Sequence, residues 1–328
     1  MTEWLIAQLP ILGSHGLLSG TALILFTSVL FLLKIESVSK RLEKSSDKIP
    51  GDSDQILSRL LFPLCTALPN FIFAISAVMS SNKNYLVITS NVGNNVTNVT
   101  IFVGFILAIG YLKKENFKDE QSDELRKDYN FLLISTIIFF ACIWDGTLTR
   151  QEGIVLTACF FYSLTDVFRF QFKDLILIIS ILFKLVPFFL VSGFFMFVGS
   201  ELIIGELDDM KQSSNLYDVL LPGLILVLPS ILPLMLTILK KDMQKLALSG
   251  IIGDCAFSVP LIIGIVSCFH EKITLPNPTI VIYMLITSAI AFFCFNMVTN
   301  IKGKVPLWKV LIPFLGYGLI VLFSLKDN

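Results

Sequence analysis

Oxygen-bearing side chains recur at helical spacing inside two strongly apolar stretches of this sequence. In the first stretch, Asn91, Asn94 and Asn98 are spaced i, i+3, i+7, which places them on one helical face. In the second stretch, Asp254 and Ser258 are spaced i, i+4. Amide and hydroxyl oxygens can replace the hydration shell of Na⁺ or K⁺, and a carboxylate adds a compensating charge. Asp254 is therefore predicted to hold a cation, a proton, or each in turn.

Structural explanations of the same residues stay open. Asp254 could instead be satisfied by hydrogen bonds from neighbouring helices, and the asparagines could be polar contacts that hold membrane helices together. The sequence carries no P-loop, nucleophile elbow or HExxH motif, so ATP-driven transport and membrane proteolysis have no support. The formal net charge is zero and gives no reason to expect nucleic acid as a partner.

The elements that would position these residues are predicted to be membrane-spanning helices. Of the 328 residues, 55% are hydrophobic and only 15% are charged, and the mean hydropathy is +0.79. Charged and turn-rich breaks leave ten apolar segments, each near the roughly 20 residues that cross a bilayer. They cover approximately residues 15–35, 57–80, 85–112, 130–145, 152–169, 174–200, 217–239, 246–269, 278–299 and 306–325.

A repeated skeleton relates the two halves of the chain. A Leu-Pro dipeptide ending at Pro69 stands 24 residues before Gly93, and another ending at Pro229 stands 24 residues before Gly253. Both pairs occupy the second and third apolar segments of their half. Interrupted helices at corresponding positions of two halves indicate the substrate site of a secondary transporter. Five segments per half, an odd number, would turn the second copy upside down in the membrane.

The polar break near residues 169–174 sets the predicted division. The first five-helix repeat is predicted over residues 1–170, with its α-repeat at about 57–112, and the second, inverted repeat over 171–328, with its α-repeat at about 217–269.

The basic residues predict the orientation. Eighteen lysines and arginines fall in the alternate loops of one side, whereas the other side has five, namely Lys83, Arg150, Lys211, Lys272 and Lys326. Basic loops remain cytoplasmic. Both termini are therefore expected outside the cell, in an integral protein of the cytoplasmic (plasma) membrane, and the charged residues 113–128 are expected to be a solvated connector.

Three motifs carry a resemblance to a known family. The stretch from Leu68 to Asn98, which contains SNVGNNVTN, resembles the first α-repeat of the calcium/cation antiporters, the sodium/calcium exchanger superfamily. That repeat reads roughly GTSLPE, then GNxxGSN with Asn or Asp three residues later. A fainter second copy runs over residues 228–258, and DGTLTRQEG at 145–153 is similar to the DGxLSRxEG turn of bacterial members. The resemblance implies an all-α polytopic membrane protein with ten transmembrane helices in two inverted five-helix repeats, the sodium/calcium exchanger fold.

The resemblance also implies a set of cation-binding residues: Thr66, Asn70, Asn94, Asn98, Ser230, Asp254 and Ser258, with Asn70, Asn98 and Asp254 as the metal ligands. Members that move Ca²⁺ carry a glutamate after each Leu-Pro, where this chain has Asn70 and Ser230. Two carboxylates are thus replaced by neutral groups, which leaves a dication uncompensated in a low dielectric. Tight Ca²⁺ binding is therefore not expected.

A secondary cation antiporter with alternating access at a midplane site is the first functional hypothesis. The transported cations would be Na⁺, or else Ca²⁺, K⁺ or H⁺, and the partners only inorganic cations and the lipid bilayer, without a cofactor. The resemblance implies that a monomer suffices for transport. The alternative is a transport-inactive membrane scaffold or regulator with the same fold. A membrane-embedded enzyme ranks far lower because the sequence shows no acid–base or metal constellation.

Overall fold

The fold is described from a computed structural model of the chain. The described residues are 16–45, 62–79, 84–114, 116–117, 119–167, 172–209, 219–228, 244–277, 279–299 and 303–326. Within these ranges the chain forms ten helical segments, which we number in chain order. They are α1 (Gly16–Ser45), α2 (Phe62–Met79), α3 (Tyr85–Lys113), α4 (Asp119–Cys142), α5 (Arg150–Val167), α6 (Phe172–Asp209), α7 (219–228), α8 (244–268), α9 (Thr279–Thr299) and α10 (Leu307–Lys326).

The helices follow the ten predicted segments, and five of those described are long and apolar enough to cross a membrane. Some ends differ from the prediction. α4 begins at Asp119, and α1 and α6 continue to Ser45 and Asp209. The expected connector at 113–128 is thus mostly helical, because its Glu, Gln, Lys and Arg residues are good helix formers even where no apolar face is present.

Burial identifies the central helices. In the most apolar window of α3, 67% of the residues are buried, and the corresponding share in α8 is 72%. In α10 the share is only 33%, as expected of a peripheral helix that faces lipid. α3 and α8 are the third helices of the two predicted repeats, so the two copies of the motif lie at the centre of the bundle.

Two short antiparallel ribbons join loops that are distant in sequence. β1 (Asn116–Phe117) pairs with β4 (Gly303–Lys304), and β2 (Thr147–Thr149) pairs with β3 (Lys272–Thr274). Paired strands must lie on the same side of a membrane. Six helices separate β1 from β4, and four helices separate β2 from β3. Both numbers are even, so both pairings agree with a chain in which every one of these helices crosses the membrane. Because α4 alone separates β1 from β2, the two ribbons lie on opposite sides.

The turn before α5 is built by its polar side chains. Asp145 accepts hydrogen bonds from the backbone N–H and the hydroxyl of Thr147, at 2.9 and 2.7 Å. The hydroxyl bond, followed by the backbone bond, lowers the pKa of Asp145. Glu152 accepts from the N–H and hydroxyl of Thr149, both at 2.7 Å, which is the capping-box arrangement of a helix start. These acids therefore shape the turn.

The skeleton glycine of the first half lies at a helix crossing. A Cβ atom at Gly93 would lie 2.0 Å from the backbone oxygen of Val219, and one at Gly223 would lie 2.2 Å from the backbone carbon of Gly93. α3 and α7 thus touch backbone to backbone, a distance that any side chain would prevent.

The helices are less interrupted than the proline–glycine skeleton predicted. α2 remains one helix through Pro69, whereas Pro229 lies outside the described residues. The local irregularity is instead a π-helical segment in each central helix, at Asn98–Phe102 in α3 and at Phe257–Ile263 in α8. Such π segments widen the turn and often occur at functional sites. Each begins at or one residue before a predicted site residue, Asn98 or Ser258.

Candidate functional site

The site is built around the carboxylate of Asp254. This residue lies on α8 among apolar neighbours and is 1% exposed. Burying a carboxylate is costly unless hydrogen bonds and charges compensate it. The helices around Asp254 supply the hydrogen bonds.

Three asparagine amides converge on this carboxylate from two other helices. From α3, the Nδ2 atoms of Asn94 and Asn98 donate to Oδ2 of Asp254 at 3.0 and 2.7 Å. From α2, Nδ2 of Asn70 lies 3.4 Å from Oδ1. Asn70, Asn94 and Asn98 are all fully buried. Helices α2, α3 and α8 thus meet at the Asp254 carboxylate.

Two hydroxyl groups complete the cluster. Ser258, one turn after Asp254, donates its hydroxyl to the Asp254 backbone oxygen at 2.8 Å. Its Oγ accepts from Nδ2 of Asn70 at 3.3 Å and of Asn94 at 3.2 Å. The side chain of Thr66, one turn before Asn70, also hydrogen-bonds to Asp254. Five of the neutral predicted residues and Asp254 therefore form one polar cluster.

The seventh predicted site residue, Ser230, lies outside the described residues. Helix α7 is described over 219–228, which includes the close crossing with α3. Where Ser230 stands relative to Asp254 is therefore still a matter of prediction.

The amide oxygens of the cluster have no partners. Oδ1 of Asn70, Asn94 and Asn98 is buried and makes no hydrogen bond. A buried polar atom without a partner costs roughly 1–3 kcal/mol and calls for a physical explanation, such as a bound water or ion. A half-turn about the Cβ–Cγ bond exchanges the oxygen and nitrogen of an amide, so each asparagine can present either atom to the centre of the cluster.

The electrostatic character of the cluster follows from its composition. Each described hydrogen bond to the Asp254 side chain comes from a neutral group. Within the described residues, no group of three or more His, Cys, Asp or Glu side chains could hold a metal ion. The cluster therefore combines one carboxylate with several amide and hydroxyl oxygens.

The structure separates one asparagine from the predicted face and adds another beside the cluster. Asn91 shares the helical face of Asn94 and Asn98, but its Nδ2 donates to the backbone oxygen of Val87 on α3 and not to Asp254. Asn95 was not predicted as a site residue, and its Nδ2 donates to the backbone oxygen of Cys255 at 3.1 Å, which ties α3 to α8 beside the cluster.

A second acid, Glu201, also lies within an apolar helix. The predicted sixth segment ended at residue 200, but α6 continues, and its apolar window covers Val186–Glu206. Glu201 accepts a hydrogen bond from the hydroxyl of the fully buried Ser76 on α2. The apolar pair Leu202–Ile203 after Glu201 was the signal in the sequence that the helix goes on.

Solved structures share this fold. The sodium-calcium exchanger NCX_Mj soaked with 2.5 mM Na⁺ and 10 mM Sr²⁺ is 16% identical to the chain with a TM-score of 0.59, and the match covers 95% of this chain and 98% of that one. NCX_Mj soaked with 10 mM Na⁺ and zero Ca²⁺ has 18% identity, the same TM-score and the same coverage. With zero Na⁺ and Ca²⁺ it has 17% identity, a TM-score of 0.56 and coverage of 96% and 99%. The chain is thus an integral membrane protein with the sodium/calcium exchanger fold.

A family model described as sodium/calcium exchanger protein matches residues 15–169, which contain α1–α5. No curated protein matches the chain significantly. The first half of the chain thus resembles the sodium/calcium exchanger proteins, and the solved structures share its fold over nearly the whole chain.

Proposed function

We propose that this chain is a secondary antiporter that moves a monovalent cation, Na⁺ or K⁺, and that protons compete with this cation for Asp254. The observation that carries the proposal is the single carboxylate at the centre of an otherwise neutral cluster. Alternating access would expose the cluster to one side of the membrane at a time.

Charge balance favours a monovalent substrate. One carboxylate and one monovalent cation form a neutral pair, whereas a dication leaves one positive charge without compensation in a buried site. The penalty for an uncompensated buried charge is several kcal/mol. Asn70 supplies a neutral amide where Ca²⁺-transporting relatives carry a glutamate, and its position 3.4 Å from Asp254 supports a role for this position in the site.

The ligand count is also adequate for Na⁺ or K⁺. A half-turn of the amides of Asn70, Asn94 and Asn98 would direct three oxygens toward the carboxylate, with the hydroxyls of Thr66 and Ser258 alongside. These groups together with Asp254 would give about six oxygens, the kind of shell that hard cations prefer. When a proton occupies the carboxylate instead, the same amides can return to donating or accepting hydrogen bonds.

The membrane and orientation belong to the same proposal. The bias of basic residues toward one side supports a cytoplasmic β1–β4 ribbon, an outer β2–β3 ribbon and both termini outside, in the cytoplasmic membrane. The division into repeats 1–170 and 171–328, related by inversion, provides the two-fold relation that alternating access uses.

Flux in proteoliposomes tests the proposal. The unmodified protein should take up Na⁺ or K⁺ in response to a pH gradient, and Asp254→Asn should abolish this uptake because the exchangeable charge is removed. The matched control is Asp145→Asn, which makes the same chemical change in an exposed turn and should keep full flux. Size-exclusion profiles verify that both variants are folded. Flux that persists in Asp254→Asn would refute the proposal.

The same experiment addresses a transport-inactive scaffold. A relic that has lost transport is expected to replace buried polar groups by well-packed apolar ones, because nothing else offsets the cost of unpaired amide oxygens. The cluster retains at least three such oxygens, which favours transport. Absence of every cation flux in the folded, unmodified protein would favour the scaffold.

A further inference from the structure

A row of asparagines on α3 leads from one end of the helix to the Asp254 cluster. Asn84, Asn91, Asn95 and Asn98 are separated by seven, four and three residues, so they lie on one helical face within about 60° of one another. At ~1.5 Å per residue, Asn91 lies about 10 Å from Asn84 and about 10 Å from Asn98 along the axis. The row starts on the β2–β3 side of the membrane.

Each member of this row carries an unpartnered oxygen. Oδ1 of Asn84, Asn91, Asn95 and Asn98 is buried and makes no hydrogen bond. Asn84 stands at the N-cap of α3, where an asparagine oxygen ordinarily accepts from the helix, yet its side chain makes no cap bond. Asn91 is fully buried, and only its nitrogen is used, by Val87.

The two members of the row nearest Asp254 both contact α8. Asn98 donates to Asp254, and Asn95 donates to the backbone of Cys255 on α8. On a helical wheel, Asn91 lies between Asn95 and Asn98 and one to two turns nearer the β2–β3 side. Helix packing alone gives no account of these oxygens, because packing would be improved by apolar side chains of similar size.

We propose that Asn91 Oδ1 forms a neutral waiting site for a monovalent cation on the path between the β2–β3 side and Asp254, with Asn84 at its mouth. The inference rests on the proposed function for the identity of the cation. A neutral amide site holds the cation weakly, which lets the ion leave for the carboxylate, as conduction through serial sites requires. The site has no charge of its own, so part of its occupancy should remain when Asp254 is replaced by a neutral residue, although loss of the attraction of the carboxylate weakens it.

Binding tests the site without requiring transport. Thermal unfolding in detergent is measured against NaCl or KCl, with N-methyl-D-glucamine chloride as the inert salt. Asp254→Asn should retain a small cation-dependent rise in melting temperature, and Asp254→Asn with Asn91→Leu should lose it. The matched control is Thr89→Val in the Asp254→Asn background, because Thr89 is also fully buried with an unpartnered oxygen but faces about 160° away. This control should keep the rise.

Locating the ion in the unmodified protein gives a test that does not depend on whether the variants fold. Crystals of the unmodified protein soaked in thallium(I) acetate, a K⁺ analogue with strong anomalous scattering, should show a peak within about 3.5 Å of Asn91 Oδ1. Absence of this peak, or a cation response that survives in the Asn91→Leu double variant, would overturn the waiting site.

Kinetics separate this inference from the proposed function. If the unmodified protein transports Na⁺ or K⁺, Asn91→Leu should raise the KM for the cation arriving from the β2–β3 side about tenfold and leave the KM from the opposite side unchanged. Equal changes on both sides would indicate a structural role and refute the waiting site alone. If the unmodified protein transports neither cation, the proposed function fails, and the thallium and unfolding measurements still decide whether Asn91 binds a cation.

Discussion

The substitution Gly93→Ala probes the contact that brings the two repeats together. The new Cβ atom would lie 2.0 Å from the Val219 backbone oxygen, 2.9 Å from its backbone carbon and 3.2 Å from Cα of Gly223. All three neighbours are backbone atoms, so no side-chain rotation can relieve the overlap and the helices must separate by about 1 Å. Overpacking of this kind costs about 3 kcal/mol, which for a chain of 328 residues lowers the melting temperature by roughly 4 °C.

Gly318→Ala is the control for this prediction. Gly318 lies in exposed α10, and a Cβ atom there would meet nothing within 4 Å. Alanine is the better helix former, so this variant should gain about 0.5–1 kcal/mol. Both proteins are compared by thermal unfolding in the same detergent, followed by flux. If Gly93→Ala is as stable as Gly318→Ala, the backbone contact between α3 and α7 is not as close as described.

Three further changes follow from the site and the topology. Asn98→Leu removes the 2.7 Å donor to the central carboxylate and should cost about 1.5–3 kcal/mol of stability together with flux, and unchanged unfolding would contradict the described hydrogen bond. Asn70→Glu combined with Ser230→Glu restores the two missing charges and should produce a Ca²⁺-dependent rise in melting temperature, and a folded variant without that response would weaken the charge reasoning. On a background without native cysteines, Lys118→Cys should be protected from impermeant reagents in intact cells and Lys211→Cys labelled, and the reverse pattern would invert the orientation.

Much of the fold could be predicted because the relevant signals are local. Apolar length identified the helices, and a repeated motif related the two halves. The start of α4 and the end of α6 were predicted wrongly. Residues with high helix propensity extend these helices beyond the apolar segment, and a prediction based on hydropathy does not detect such polar extensions. The π segments were missed too, because they depend on which helices pack around Asn98 and Ser258.

The site was predicted in its residue types and less well in its contacts. Spacing placed Asn91, Asn94 and Asn98 on one face, but it could not show that Asn91 bonds to its own helix while the other two reach Asp254. Glu201 was missed because its partner Ser76 lies 125 residues away in sequence. Such contacts are set by the packing of α2, α3, α6 and α8, which no local pattern encodes.

Ion selectivity of the unmodified protein is the most direct test of the charge argument. Uptake of ²²Na⁺, ⁸⁶Rb⁺ as a K⁺ analogue, and ⁴⁵Ca²⁺ is measured in the same proteoliposomes under identical pH gradients. The single carboxylate of Asp254 predicts uptake of a monovalent ion that rises with the pH gradient, with little or no uptake of ⁴⁵Ca²⁺. Robust Ca²⁺ exchange that also persists in Asp254→Asn would contradict this account, since neutral oxygens would then be sufficient for a dication.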